Sequence, residues 1–412
     1  MSRTILHVDL NNFYASVECL YLPELRDKPI AVCGDAEARH GIVLAKNQPA
    51  KQLGIKTGEA IWEAKLKCPN LITVTADFRK YLRFSQMARA IYADYTDQIE
   101  SFGIDECWLD MTGSLKLFGS GPIIADTIRQ RFKEELGLTC SIGVSYNKIF
   151  AKLGSDMKKP DATTVITEGN YQDKIWPLPV GELLYVGRST RQKLENRMVR
   201  TIGDLAKADL KKLRLILGVW GETLWSFANG FDSAPVRLTG EESLIKSVGN
   251  STTAVRDLAN DQDVKLIIYV LAESVAAHLR NHGLKCKTVS ICVRDKELYL
   301  FERQGKLTSP SFVSADIAKK AMELFTANYC WSKPIRSLGV RGADLVTAGG
   351  NIQLDLFHDI KPEGEELERT IDSLRKRFGH YSVQRCAMLL DRQLTGFNPK
   401  DEHVIQPTSY FR

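Results

Sequence analysis

The chain has 412 residues, 44% hydrophobic and 26% charged, with a formal net charge of +6. Such a length suggests about two to four domains, and the composition is that of a soluble globular protein. No apolar run approaches the roughly 18–20 residues needed to span a membrane. The opening MSRTILHVDL is too short in apolar residues for a signal peptide, so a cytoplasmic protein without membrane association is expected. Nine scattered cysteines without a CxxC pair argue against a disulfide framework or a zinc site.

The segment ILHVDL (5–10) alternates, placing Ile5, His7 and Asp9 on one face of a strand and Leu6, Val8 and Leu10 on the other. NNFYASVECLY then reads as a helix capped by Asn11 or Asn12. Short apolar strands are expected at 29–34, 41–47 and 71–77, and a helix over 78–98. SFGIDECWLD (101–110) reads as one buried strand. A helix around 121–136, a strand over 138–145 and a helix from Lys148 to about Met157 follow. Strands alternating with helices predict an α/β or α+β domain. From about residue 166 the pattern changes to short helices joined by glycine turns. A third block, about 241–347, returns to mixed character, with strands in SVGNSTTAV, KTVSICVRD and SLGVRGADLV and helices over 261–281 and 314–329. After Gly349 one helix is expected, over 363–377.

Asp105 and Glu106 interrupt an apolar run, and burying an ionised carboxylate without a partner is costly. Asp9 stands at the end of the first strand, and neighbouring like charges repel. Divalent cations would reverse both penalties. Mg²⁺ prefers a few carboxylates plus phosphate oxygens and retained water. Two such ions about 3.5–4 Å apart clamp the attacking and leaving oxygens of a phosphoryl transfer. The alternative is one surface-turn acid beside two accidental ones. The helix that starts after Asp9 would offer free N–H groups to phosphate. Phe13 and Tyr14 in its first turn would either pack on a nucleotide sugar or staple the helix to the core. His278 and His282, one turn apart, have no Cys or acid nearby to complete a ligand set and are read as helix-surface residues. From Arg188 to Arg214 nine Lys or Arg stand against three acids, in a run that begins at a glycine turn. That start favours phosphate binding over a merely solvated face.

VDLNNFYASVE (8–18), GIDECWLD (103–110) and SIGVSYNKIFAKLGSDMKKP (141–160), in that order, resemble the Y-family, or translesion, DNA polymerases. The resemblance extends across about residues 3–347. It implies an α+β multidomain right-hand polymerase. Its parts would be a ferredoxin-like palm (1–10 and 78–165), small fingers (11–77), a helical helix-hairpin-helix thumb (166–240), an α/β little finger (241–347) and a C-terminal tail (348–412). Asp9, Asp105 and Glu106, with the Leu10 carbonyl, would hold two Mg²⁺ ions, with Mn²⁺ as a substitute. Tyr14 would be the steric gate against ribonucleotides. Asn11, Asn12 and Phe13 would line the triphosphate with Lys51, and Lys159 would reach its phosphates. Ser101 and Asn147 would help shape the site, and Lys152 reads as a helix-surface residue. The departures are Asn11, where the DinB branch usually has a second acid, and Ala45, Gln48 and Lys51, where it has Thr, Tyr and Arg. Lys51 keeps a charge but loses the bidentate fork of Arg. These residues look like the UmuC branch, whereas SYNKIFAKLGSDMKKP looks like DinB, so the branch stays open.

The resemblance also assigns DNA contacts. Gly187 and Gly218 would be the thumb's turn glycines, whose neighbouring N–H groups bind phosphate without reading sequence. Arg188, Arg191 and Lys193 would add counter-charge. Lys246, Arg280, Lys285, Lys287 and Arg341 are phosphate-contact candidates in the little finger. Gln353, Leu354, Asp355, Leu356 and Phe357 match the pentapeptide Q-L-x-L-F by which bacterial polymerases dock on the sliding clamp (β-clamp), with Leu356 and Phe357 as anchors. The alternative is a short element completing the little finger. The implied function is a monomeric, low-fidelity DNA polymerase that adds dNTPs to a primer 3′-OH on primer-template DNA and synthesises across damage. A nucleotide cyclase with a palm-type core would carry a GG[DE][DE]F-like hairpin. A non-catalytic DNA-binding or clamp-binding descendant would have lost a carboxylate. This chain has GIDECW and keeps all three.

Overall fold

A computed structural model of the chain describes residues 3–34, 41–241, 244–349 and 362–402. The chain divides near residue 242 into two compact units.

The strands of the first unit are β1 (Ile5–Leu10), β2 (Ile30–Cys33), β3 (Val43–Lys46), β4 (Ile72–Thr75), β5 (Ile99–Ser101), β6 (Glu106–Asp110), β7 (Cys140–Ser145) and β8 (Thr163–Val165). Five of them form a sheet in the order β5-β6-β1-β7-β8, with β1 antiparallel to both neighbours. The other three form a small sheet, β3-β2-β4. The alternation in β1 sorts its faces as expected, although every residue of it is buried. Leu6, Val8 and Leu10 enter a core with Tyr81, Ile91, Ile124 and Ile128 from the helices Phe78–Ala93 and Gly121–Arg131. Ile5 and Trp108 join Ile149 and Phe150, from the helix Lys148–Met157, on the other face.

SFGIDECWLD is not one strand. β5 ends at Ser101, the chain turns through Gly103, and β6 returns from Glu106 with Ser101 opposite Cys107. The Phe102 N–H closes this hairpin on the Glu106 carbonyl at 2.9 Å. The turn takes Asp105 out of the sheet ladder and leaves it, half-buried, one residue ahead of β6.

Beyond β8 the unit is helical, as the glycine-rich pattern predicts. Its helices include Arg188–Glu195, Ile202–Lys207, Leu210–Leu217 and Val219–Ala228. The chain then returns to the sheet. Arg3 donates to the carbonyls of Asp232 and Ala234, and the buried Lys148–Glu100 ion pair (2.6 Å) is closed by the Pro235 carbonyl and the Arg237 N–H.

The second unit has an antiparallel sheet of β9 (Ser247–Leu258), β10 (Leu284–Asp295), β11 (Leu300–Ser311) and β12 (Ile335–Thr347), in the order β11-β10-β12-β9. The helices Asp261–Asn281 and Ser314–Asn328 share a core with it through Leu271, Val275, Ile291, Ile317, Phe325 and Val340. Sequence patterning missed β11, LFERQGKLTSPS. It is an edge strand, largely exposed, and its charges, Gly and Pro are what such an edge tolerates. The helix expected over 363–377 is Pro362–Phe378. It meets the rest of the unit through polar groups: Glu368 accepts from the Ser314 N–H at 3.1 Å, and Arg375 pairs with Glu273 at 2.8 Å. Arg256–Asp391 (2.7 Å) and Asn250 donating to the Pro399 carbonyl (2.9 Å) fasten the residues beyond. Residues 362–402, whose role the sequence did not disclose, are an integral part of this unit.

Candidate active site

The site lies on the β1–β6 side of the first sheet. Register places Asp9 directly opposite Glu106 and His7 opposite Trp108. Asp105 sits one residue before β6, and its carbonyl accepts from the Leu10 N–H at 3.1 Å, so the Leu10 peptide lies beside it. The three expected carboxylates are therefore neighbours, although they come from two strands and a turn. Burial raises the Asp105 carboxyl to about 7, helped by the Glu106 and Asp9 charges. Asp9 is also raised, first by burial and then by Glu106, while Lys152 and Lys159 oppose the shift.

The helix Lys148–Met157 supplies the cations. Its N-terminus is capped by Asn147, whose side chain accepts from the Phe150 N–H. Asn147 thus starts this helix and does not line the site. Gly143, opposite His7 in β7, lets the helix come close: a Cβ there would stand 1.9 Å from the Ala151 carbonyl oxygen. Lys152 consequently reaches Glu106 Oε1 at 2.9 Å and Asp9 Oδ2 at 3.3 Å, and its side chain is only 13% exposed. The expectation of a helix-surface lysine is corrected. The missed signal is helical spacing: Lys152, Asp156 and Lys159 fall at i, i+4 and i+7. Lys159 lies just past the helix and pairs with Asp9 Oδ2 at 2.6 Å and Asp156 Oδ1 at 2.8 Å. Burial alone would lower the Lys152 ammonium, but Glu106, Asp9 and Asp156 overcome it and raise its pKa.

His7 was also missed as a site residue. It is fully buried, and burial followed by Lys152 holds its pKa well below the usual imidazole value, so the ring is neutral. Its Nδ1 meets Ser155 Oγ at 2.8 Å, and Ser155 donates to the Lys152 carbonyl. With the hydroxyl proton so placed, His7 carries its proton on Nδ1 and turns the Nε2 lone pair toward Glu106 Oε2, 3.4 Å away. Neither of those two atoms has a hydrogen-bond partner.

A cleft of about 140 Å³ opens beside Asp9, lined by Asn11, Asn12, Lys46, Gln48, Lys51, Lys159 and Pro160. It gathers most of the residues expected at the triphosphate and adds Lys46. Asn11 lines the cleft with its side chain fastened in place: its Nδ2 donates to Ser141 and its Oδ1 accepts from the Asp161 N–H. Asn12 takes the N-cap position in the left-handed region (φ 50°), without a side-chain cap bond. Phe13 is buried in the core and staples the helix Phe13–Tyr21. Tyr14 stacks on Tyr81 with ring centres 4.3 Å apart and meets Phe78 edge-on. Burial and then Asp105 push its hydroxyl up to about 12. Ser101 accepts from Arg89 at 3.0 Å behind the carboxylates.

The donor chemistry suits a hard divalent cation: carboxylate oxygens in a shielded place, one of them, Glu106 Oε2, without a hydrogen bond. Among the described residues, however, no three acidic, imidazole or thiol groups converge in ion-holding geometry. Asp9 and Glu106 are drawn onto Lys152 instead.

Residues 8–156 match the impB/mucB/samB family model, 182–232 the thumb domain of DNA polymerase-iota and 245–356 the C-terminal domain of the impB/mucB/samB family. The DNA polymerase IV of Acetivibrio thermocellus is 58% identical over 396 residues, covering 96% of this chain and 99% of that protein. The chain belongs to the bacterial DinB-type branch of the Y-family DNA polymerases. DNA polymerase IV 1 of Bacillus subtilis is 38% identical over 394 residues, 94% of each chain. In fold, the chain resembles the Y-family polymerase chimera Dbh-Dpo4-Dbh with a TM-score of 0.73 and 24% identity, over 84% of this chain and 99% of that one. Membership decides the branch in favour of the DinB-like SYNKIFAKLGSDMKKP over the UmuC-like DLNNFYAS and AKNQPAKQLG segments.

The nucleic-acid candidates divide. Arg188, Arg191 and Lys193 are exposed on the helix that Gly187 caps, with Arg191 paired to Glu195. Gly218, at φ 65°, joins the helices Leu210–Leu217 and Val219–Ala228. Lys246 and Lys287 are exposed, and Arg341 lies half-exposed on β12 beside Ser290 and Glu302. Arg280 and Lys285 are different and correct the expectation. Arg280 is buried between Glu368 and Asp372, and Lys285 is buried on Glu365, so both hold the tail in place rather than standing free for phosphate. The pentapeptide Gln353–Phe357 lies outside the described residues. No described helix is long and apolar enough to cross a membrane.

Proposed function

We propose that this chain is a template-directed DNA polymerase that extends a primer 3′-OH with dNTPs at the Asp9–Asp105–Glu106 site and synthesises across damaged template at low fidelity. The observation that carries the reading is the register of β1 and β6, which sets Asp9 opposite Glu106 with Asp105 adjacent and Lys159 on the same carboxylate. Two Mg²⁺ ions bound by these carboxylates and the Leu10 carbonyl would lower the pKa of the primer hydroxyl and neutralise the triphosphate. Lys159, Lys51 and Lys46 line the cleft where the triphosphate lies. Tyr14 sets its ring against the sugar, braced by Tyr81, and excludes a 2′-hydroxyl. The palm is 1–10 and 78–165, the fingers 11–77, the thumb 166–240 and the little finger 241–347. Fewer than 70 fingers residues leave an open site that tolerates lesions and selects poorly. Gln353–Phe357 docks on the sliding clamp, and the protein works as a monomer in the cytoplasm.

Primer extension with Mg²⁺ and dNTPs tests the reading. Wild type extends the primer, and the double variant Asp105→Ala, Glu106→Ala loses at least about 10³-fold in rate, as expected when charge stabilisation of the transition state is removed. Equal extension by both proteins, or none by wild type, removes the catalytic assignment.

A further inference from the structure

Asp9 and Glu106 form a like-charged pair directly across two strands, an arrangement that is destabilising by itself. Register fixes their backbones, and a cation between them relieves the repulsion while both stay charged. Lys152 Nζ lies 3.3 Å from Asp9 and 2.9 Å from Glu106, and the close seat of its helix at Gly143 puts it there. The second oxygen of Glu106 has no hydrogen-bond partner, and the first is held by Lys152, so Lys152 is the cation that serves this carboxylate. A lysine is a compact point charge on a flexible stem. Lys152 also has a further partner outside the ligand set: Asp156 Oδ2, 3.2 Å away and 41% exposed.

We propose that Lys152 is a positioning residue whose ammonium holds Asp9 and Glu106 in the place of a divalent ion, and which withdraws to Asp156 when that ion binds. The inference rests on Asp9 and Glu106 being ion ligands. It accounts for the lack of a converged ligand set: the carboxylates are engaged by the lysine. It separates two lysines that look alike in sequence, since Lys159 lines the cleft and Lys152 does not.

The test is Mn²⁺ titration of the full chain, without DNA or nucleotide, following free Mn²⁺ by electron paramagnetic resonance. Lys152→Met should bind Mn²⁺ about tenfold more tightly than wild type, because one unit of opposing charge has left the site. Its melting temperature should fall in EDTA and recover toward wild type in saturating Mn²⁺. Lys152→Arg keeps the charge and should stay within about twofold of wild type, since only the charge is at issue. Unchanged or weaker binding by Lys152→Met overturns the proposal, as does equal tightening in Lys152→Arg. Asp156→Asn removes the resting place and should weaken binding several-fold. It decides the matter if Lys152→Met does not fold, and unchanged binding there counts against the proposal. Asp9→Asn separates the two levels. If it binds Mn²⁺ like wild type, the ligand assignment itself fails. If it binds weakly while Lys152→Met is unchanged, only the role of Lys152 fails.

Discussion

A carboxyl raised to about 7 is half protonated near neutral pH, and Asp105 is in that state because burial and two neighbouring acids disfavour its charge. A raised carboxylate pKa means that the folded protein binds a proton the unfolded chain has already lost. The stabilising contribution is therefore complete below the ordinary value near 4 and is lost as pH rises through about 7. The ion-free protein should melt progressively lower between those limits, and Asp105→Asn should flatten the profile. A thermal melt series in EDTA checks this, and an identical slope in the variant would remove Asp105 as the source. Tyr14→Ala should admit ribonucleotides far more readily, measured as the ratio of rNTP to dNTP incorporation. An unchanged ratio would leave Tyr14 only its packing on Tyr81. Arg280→Ala leaves Glu368 and Asp372 without their buried partner and should cost about 3–5 kcal/mol. Denaturant unfolding reads the loss, and primer-template affinity of the folded protein should not change, because Arg280 is not a free cation.

At the scale of elements, two contacts decide the site. The β5–β6 hairpin puts Asp105 in a turn and Glu106 at a strand start, so adjacent residues have different environments. The helix Lys148–Met157 then delivers Lys152 across β7, and only a residue without a Cβ at 143 permits that approach. Gly143→Ala would force this helix off the sheet. A loss of about 1–3 kcal/mol is expected from overpacking, together with a site in which Lys152 no longer spans Asp9 and Glu106. Denaturant unfolding gives the first quantity, and the Mn²⁺ affinity of the folded variant reports the second. The edge strand β11 shows why part of the second unit escaped prediction: with one ladder and much exposed surface it needs no alternating pattern.

For the whole molecule, the two units are built differently. The first buries its sheet between helices on both faces. The second buries one face under two helices and adds a tail held by ion pairs to Arg280, Lys285, Glu273 and Arg256. A chain ending after residue 349 would leave the buried Arg280, Lys285 and Glu273 without those partners, whereas Arg256 would keep Asp263. It should melt lower, with the loss confined to the second unit, and differential scanning calorimetry would resolve it. Leu356→Ala with Phe357→Ala should instead abolish clamp-stimulated synthesis and spare basal synthesis. Loss of both together would mean that the segment is structural.

The sequence alone determined which three carboxylates come together, the first strand and its two faces, the helix beginning at Lys148, the change to a helical block near residue 166 and the family. These depend on residue type and local spacing, which a single chain displays directly. Tertiary structure decided what depends on partners distant in sequence. Lys152 became a site residue because Gly143 admits its helix. His7 became the floor of the site because β6 pairs with β1. Arg280 and Lys285 ceased to be DNA contacts because acids about 80–90 positions later bury and neutralise them. A charge in sequence has no partner until the fold supplies one, and the partner determines whether it binds a ligand or holds the protein together.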